Sequence, residues 1–277
     1  DEVFEPELEG LDRDKIREWY NGYNWRGTSV YNPFDVLLLL QKREFKPYWF
    51  ESATPTFLIK SLKQRSCFTP DLNKMSTDQQ LLGEFDVGAI GTEALLFQTG
   101  YLTIGKSEEL IPGIWHYELT YPNAEVESSL NRALLPALGV NASSLVKETP
   151  TILKALKTCN FELLETHLKS LYASIPHDWY RNNPINNYEG HSCSQGNWAS
   201  IFYSHFAALG LHVTVEDSSV NGKVVMAIQF NNTTFIFEFK VVKNKPLGNT
   251  LAQIKANNYA QKYVHEGWVI YGIGVEF

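Results

Sequence analysis

The chain is poor in the residues that would mark a secreted, zinc-bound or membrane protein. Its 277 residues hold three cysteines, Cys67, Cys159 and Cys193, with no CxxC spacing. That argues against a disulfide framework and leaves thiols suited to a reducing cytoplasm. His191 and Cys193 stand close together, but no second pair has zinc-ligand spacing, so both read as loop residues. Apolar runs such as Val36-Leu37-Leu38-Leu39-Leu40 stop far short of the ~18 residues a membrane helix needs, and no membrane partner is expected. The start, Asp1-Glu2-Val3-Phe4-Glu5, is acidic and lacks a basic leader and an initiator Met. We expect no signal peptide and an excised piece of a longer protein. A G-x-S-x-G turn is missing too, which removes the commonest serine-hydrolase signature.

Positive charge is also scarce. Lysine and arginine total 24 against 31 acidic residues, a net charge of -7. That argues against a broad nucleic-acid-coating surface. It does not argue against local grip on phosphates, because Lys240, Lys243, Lys245, Lys255 and Lys262 crowd the last forty residues. Lys243-Asn244-Lys245 suits either a phosphate contact or an exposed loop.

The chain carries no internal repeat and no low-complexity tract. Its length favours two domains. Periodicity predicts helices over 11–20, 34–41, 54–63 and, with a break near 88–91, over 77–98. Asn32-Pro33 opens the second of these. Residues 100–105 and 115–120 read as a hairpin, giving a winged-helix-like unit. The aromatics Trp19, Tyr20, Tyr23 and Trp25 are expected to pack a helix-loop-helix core rather than stack on bases. Three helical segments follow, at 125–138, 143–157 and 162–173, punctuated by Gly139 and Pro150. After a loop-like stretch at 175–195 come a helix (198–209), strands at 212–216, 224–230 and 234–241, a helix (251–263) and a last strand (268–274). His205, on the 198–209 helix, reads as a half-buried structural side chain. The fold class is α/β in the α+β sense, with parts at 1–130, 131–184 (a helical connector) and 185–277.

One motif carries chemistry. In Phe235-Ile236-Phe237-Glu238-Phe239-Lys240 the side chains of a strand alternate, so Glu238 and Lys240 share one face and the phenylalanines take the other. A charged pair on so apolar a strand is costly without a purpose. E-x-K suits phosphodiester chemistry: the carboxylate holds a divalent metal and the lysine offsets charge at the phosphate. A second motif misleads. Gly100 to Ser107 satisfies G-x-x-x-x-G-K-[ST], but its middle is Tyr-Leu-Thr-Ile, and Pro112-Gly113 follow. A phosphate-cradling loop must open a helix, so this stretch is expected to be a hairpin strand, and no ATP is expected to bind.

Longer motifs show a resemblance. They include Ile16-Arg17-Glu18-Trp19-Tyr20-Asn21-Gly22-Tyr23, Val30-Tyr31-Asn32-Pro33-Phe34-Asp35, Tyr48-Trp49-Phe50-Glu51-Ser52 and Tyr121-Pro122-Asn123-Ala124-Glu125-Val126. Further on come Ala199-Ser200-Ile201-Phe202-Tyr203, 235–241, Leu251-Ala252-Gln253-Ile254-Lys255 with Tyr259, and 270–277. The chain resembles bacterial and archaeal proteins that join an AAA-ATPase-like region to a PD-(D/E)xK nuclease-like domain. The resemblance implies a restriction-endonuclease-like C-terminal domain with a mixed sheet flanked by helices. It implies a site of Glu238, Lys240, Gln253 and Tyr259, with Gln195 where the family has a helix Glu and Val225 where it has a metal-binding Asp. Only one carboxylate of that set, Glu238, remains. Mg²⁺ usually takes one or two carboxylates beside waters and phosphate. The expectation is a pseudonuclease module that binds DNA, RNA or protein. The alternative is an active Mg²⁺- or Mn²⁺-dependent enzyme with a relocated carboxylate, Glu216 or Asp217, beside Glu238.

Overall fold

The protein is represented by a computed structural model, which describes residues 4–25, 27–52, 56–65, 69–83, 90–175, 197–219, 223–240, 251 and 259–276. Two compact units divide the chain, Asp1–Ala133 and Leu134–Phe277. Among the described residues, no helix is long and apolar enough to cross a membrane.

In the first unit, helix α1 (Arg13–Tyr20) starts where the Asp12 carboxylate accepts from the N–H groups of Asp14 and Lys15. Helix α2 (Pro33–Lys42) starts at Asn32, with Pro33 in its first turn. Helices α3 (Tyr48–Ser52) and α4 (Thr56–Gln64) lead through a 3₁₀ segment (Thr69–Lys74) to strand β1 (Met75–Asp78). Helices α5 (Gln79–Leu82) and α6 (Thr92–Gln98) follow, then the hairpin of β2 (Thr103–Ile111) and β3 (Ile114–Thr120), and helix α7 (Ala124–Leu134). The sheet order is β1-β3-β2.

Two expectations change here, and a third holds. Thr77 and Asp78 belong to a strand, not a helix: β1 pairs with β3, and the Asp78 carboxylate caps α5, accepting from Leu81 N–H at 2.8 Å. The helix therefore starts one residue after its own cap. Trp25 is 66% exposed. It lies in a turn closed by Gly27 N–H donating to Asn24 Oδ1, and its ring stacks on Tyr23 outside the core. Trp19 and Tyr20 do pack, against Phe45. Finally, Gly105, Lys106 and Ser107 lie inside β2. Gly105 sits at a register shift where a Cβ would meet Thr120 Cγ2 at 2.7 Å. Sheet packing, not a phosphate, calls for that glycine.

Gly22 explains why two distant motifs go together. Its φ is +121°, and a Cβ there would lie 1.7 Å from the carbonyl oxygen of Pro122. Only glycine lets the loop after α1 approach the entry to α7 so closely.

The second unit begins with α8 (Ala142–Lys157) and α9 (Phe161–Ala173), capped by Asn141 and Asn160. Pro150 lies within α8 instead of ending it. Proline cannot donate to the helix ladder, but Ile152, Ala155 and Leu156 beyond it are buried, and that packing carries the helix through. Helix α10 (Asn197–Ala207) closes through Gly210, φ +75°. Strands β4 (His212–Ser219), β5 (Lys223–Phe230) and β6 (Thr233–Lys240) form an antiparallel meander. The β5–β6 turn puts Asn231 and Asn232 at positive φ, as a tight hairpin turn requires. Strand β7 (Val269–Glu276) runs parallel to β6 and completes the order β4-β5-β6-β7. The sheet is therefore mixed. The helix expected at 251–263 falls largely outside the described residues. Its described end is a 3₁₀ helix, Tyr259–Glu266.

Candidate functional site

Strand β6 is an inner strand, and its two faces differ as the alternation requires. On one face Phe237 and Phe239 meet Phe202 of α10, with ring centroids 4.8 and 4.6 Å apart. Phe206 lies 4.5 Å from Phe202. Each ring so buried contributes about 1.5–3 kcal/mol, and together they fix the strand against the helix. On the other face Ile236 packs with Val225, Ala227 and Tyr263, and with Ala260 and Ile270. Glu238 belongs to this second face and is fully buried. Among the expected site residues, its side chain is the one whose surroundings are described.

Register places the rest. Glu238 pairs with Val225 of β5 on one side and Gly274 of β7 on the other. Val225, where the resemblance calls for an acid, is fully buried. Lys240 ends β6, set between Lys223 and Glu276 in the ladder. Tyr259 begins the 3₁₀ helix that covers this face. Gln195 and Gln253 lie outside the described residues, as do His191, Cys193, Lys243 and Lys245. Strand β4 brings something new. Its ladder shifts between Val215, opposite Met226, and Asp217, opposite Val225. Glu216 is the extra residue of that bulge. Asp217, Val225, Glu238 and Gly274 thus form one row across four strands. Strands lie about 4.8 Å apart, so the Asp217 and Glu238 backbones are about 10 Å apart.

Mg²⁺ and Mn²⁺ need hard oxygen donors. Of the row, Glu238 supplies a carboxylate whose setting is described, and Val225 beside it supplies none. Among the described residues no group of three or more His, Cys, Asp or Glu side chains could hold a metal. Among the described side chains of the row, Glu238 alone would offer a metal an oxygen donor.

Two clusters escaped the sequence reading because their members are far apart in the chain. In the first unit Asp35 of α2 and Glu125 of α7 are both fully buried. Glu125 Oε1 accepts from the N–H groups of Trp49 and Phe50 at 3.0 and 3.3 Å. Burial, and then the neighbouring Asp35, pushes Glu125 up to about 9. Burial raises Asp35 as well. In the second unit His205 is not half-buried but 1% exposed, because its face of α10 lies against α9. It meets His167 of α9, Nε2 to Nε2, at 2.9 Å. Glu148 of α8 meets the far nitrogen of His167, Nδ1, also at 2.9 Å. The sequence signal for each would have been a titratable residue on the apolar stripe of a helix.

Comparison with known proteins bears on the C-terminal part first. Residues 194–277 match the PD-(D/E)XK nuclease superfamily. No solved structure matches. Over all 277 residues the chain is 52% identical to an uncharacterized protein in the vnfD 5' region of Azotobacter chroococcum mcd 1. The chain spans about half the length (52%) of that relative. With its mixed four-stranded sheet backed by α10, the part from residue 194 to the end is a domain of the PD-(D/E)XK nuclease fold.

Proposed function

We propose that residues 185–277 are a pseudonuclease module that binds nucleic acid or a protein partner without cutting it. The observation that carries this reading is Val225, buried and directly across the ladder from Glu238. An aliphatic side chain there supports the apolar cluster with Ala227, Ile236 and Tyr263 and gives a metal no oxygen. Charge supports a polyanion on the second unit rather than the first. Residues 134–277 hold 11 basic and 10 acidic side chains, whereas residues 1–133 hold 13 and 21. Lys240 and Tyr259, with Gln253 and Gln195, would then position a strand of DNA or RNA. In the test, labelled DNA and RNA fragments are incubated with the purified chain in Mg²⁺ or Mn²⁺. Retarded, uncut fragments are expected. Metal-dependent cleavage that disappears in Glu238→Ala overturns the reading.

One observation favours a second reading, an active Mg²⁺- or Mn²⁺-dependent phosphodiesterase. The β4 bulge sets Asp217 in the same ladder row as Glu238, and Glu216 beside it offers another carboxylate. That enzyme would lose cleavage in Asp217→Asn and keep its fold.

We read the first unit, residues 1–130, as the winged-helix-like C-terminal region of an AAA-ATPase-like part, joined to the nuclease-fold part by a helical connector at 131–184. The succession α4-β1-α5-α6-β2-β3 with sheet order β1-β3-β2 supports this. The Gly105-Lys106-Ser107 end of its P-loop look-alike lies in a strand, so ATP is not part of the proposal.

A further inference from the structure

Three helices of the second unit meet at a chain of polar side chains inside an apolar core. Ser170 Oγ donates to Glu148 Oε1 at 3.2 Å. Glu148 Oε2 lies 2.9 Å from His167 Nδ1. His167 Nε2 lies 2.9 Å from His205 Nε2, with the rings 5.0 Å apart and nearly stacked. Both imidazoles are almost wholly buried, and Glu148 is 31% exposed.

Hydrogen-bond chemistry fixes the proton inventory. A carboxylate is an acceptor, so His167 Nδ1 carries a proton. One proton lies between the two Nε2 atoms. The neutral arrangement is His205 donating to His167, which leaves His205 Nδ1 as a bare buried acceptor with no partner among the described residues. One further proton can enter only by making a buried imidazolium, and two would set like charges 2.9 Å apart. Among the described residues, Glu148 is the charged group that acts on the pair. Glu148 acts on His167, and His167 acts on His205. Burial holds both rings below their ordinary range, His205 at about 3.

The position of this chain gives it a consequence. Helix α10 carries the Phe202 and Phe206 rings that clamp β6 and therefore Glu238. A second link, Tyr172 O–H donating to the Trp198 carbonyl at 3.0 Å, joins α9 to the first turn of α10. We propose that Glu148, His167 and His205 form an acid-sensitive joint that couples the helices α8 and α9 to the helix backing the nuclease-fold sheet. With both rings neutral the joint is closed. Protons reaching it through the partly exposed Glu148 break the Nε2–Nε2 contact and release α9 from α10. The joint does not depend on whether the sheet binds or cuts nucleic acid.

The sign follows from linkage. Both histidines are neutral in the folded state and titrate near 6.5 when unfolded, so the unfolded chain takes up protons that the folded one refuses. The joint's stabilisation is fully present above about pH 6.5 and is lost as pH falls below it. Two excluded protons shift the folding equilibrium by about a hundredfold per pH unit in acid. Denaturant unfolding of the full chain from pH 7.5 to 5 should show this dependence, and His205→Phe should remove about tenfold per pH unit of it. A pH dependence equal in parent and variant overturns the proposal. Imidazole ¹⁵N NMR on the unmodified chain serves if the variant does not fold. The proposal expects two neutral rings that do not titrate between pH 7.5 and 5.5, one of them protonated at Nδ1. Every ring titrating near 6.5 refutes it.

Discussion

The two units each bury a glutamate completely, and what faces that glutamate differs. Glu125 in the first unit has Asp35 beside it and two backbone N–H groups on its carboxylate. Glu238 in the second has Val225 and Gly274 as its ladder neighbours. An acid beside an acid, both buried, must retain a proton. An acid beside a valine cannot share a metal with it. The first unit's carboxyl pair joins α2, α3 and α7. In the second, the residue across the ladder from Glu238 is Val225, which carries no carboxylate.

The largest effect should come from restoring the pair. Val225→Asp sets a second carboxylate next to Glu238 in an apolar cluster, and should cost about 3–5 kcal/mol in metal-free denaturant unfolding. Mn²⁺ should recover part of that loss by binding the folded form. A variant as stable as the parent without metal would show that position 225 is not enclosed.

Gly22→Ala breaks the other side of the comparison. Its Cβ would collide with the Pro122 carbonyl, at the mouth of the helix that carries Glu125. A loss of about 2–3 kcal/mol is expected in thermal unfolding.

Glu125→Gln should act through pH. The unfolded carboxyl titrates near 4.5 and the folded one near 9, so between these values the folded protein holds a proton that the unfolded chain releases. Stability of the parent must fall as pH rises through that window. The amide keeps the acceptor for Trp49 and Phe50 and donates to Asp35 without titrating. The variant should match the parent at pH 5 and exceed it by roughly 1–3 kcal/mol at pH 8. Chemical unfolding at the two pH values decides.

The smallest effect belongs to Glu238→Gln. If the module binds without cutting, affinity for a nucleic-acid fragment should change by less than about threefold, since the carboxylate is buried and a polyanion gains little from it.

Much of the second unit was legible in the residues. Alternation in Phe235 to Lys240 sorted the two faces of β6, and the order of helix, three strands and a final strand emerged from periodicity alone. The P-loop look-alike was separable because Tyr101, Leu102, Thr103 and Ile104 are strand formers. Other features could not be read. The β4 bulge that shifts Asp217 into register with Val225 depends on pairing between strands. The Asp35–Glu125 and His167–His205 pairs join segments 90 and 38 residues apart, and no local pattern signals a meeting of that kind. Thr77 and Asp78 were misassigned because tertiary pairing with β3 outweighs four residues of weak helical preference.

The central claim is that Glu238 stands in a site whose partner acids have become Val225 and Gln195. The most direct measurement is cleavage of a labelled duplex in Mn²⁺ by the parent chain and by the double variant Val225→Asp with Gln195→Glu. The claim predicts an intact duplex with the parent and cleaved product with the double variant. Cleavage by the parent that depends on Glu238 would contradict it.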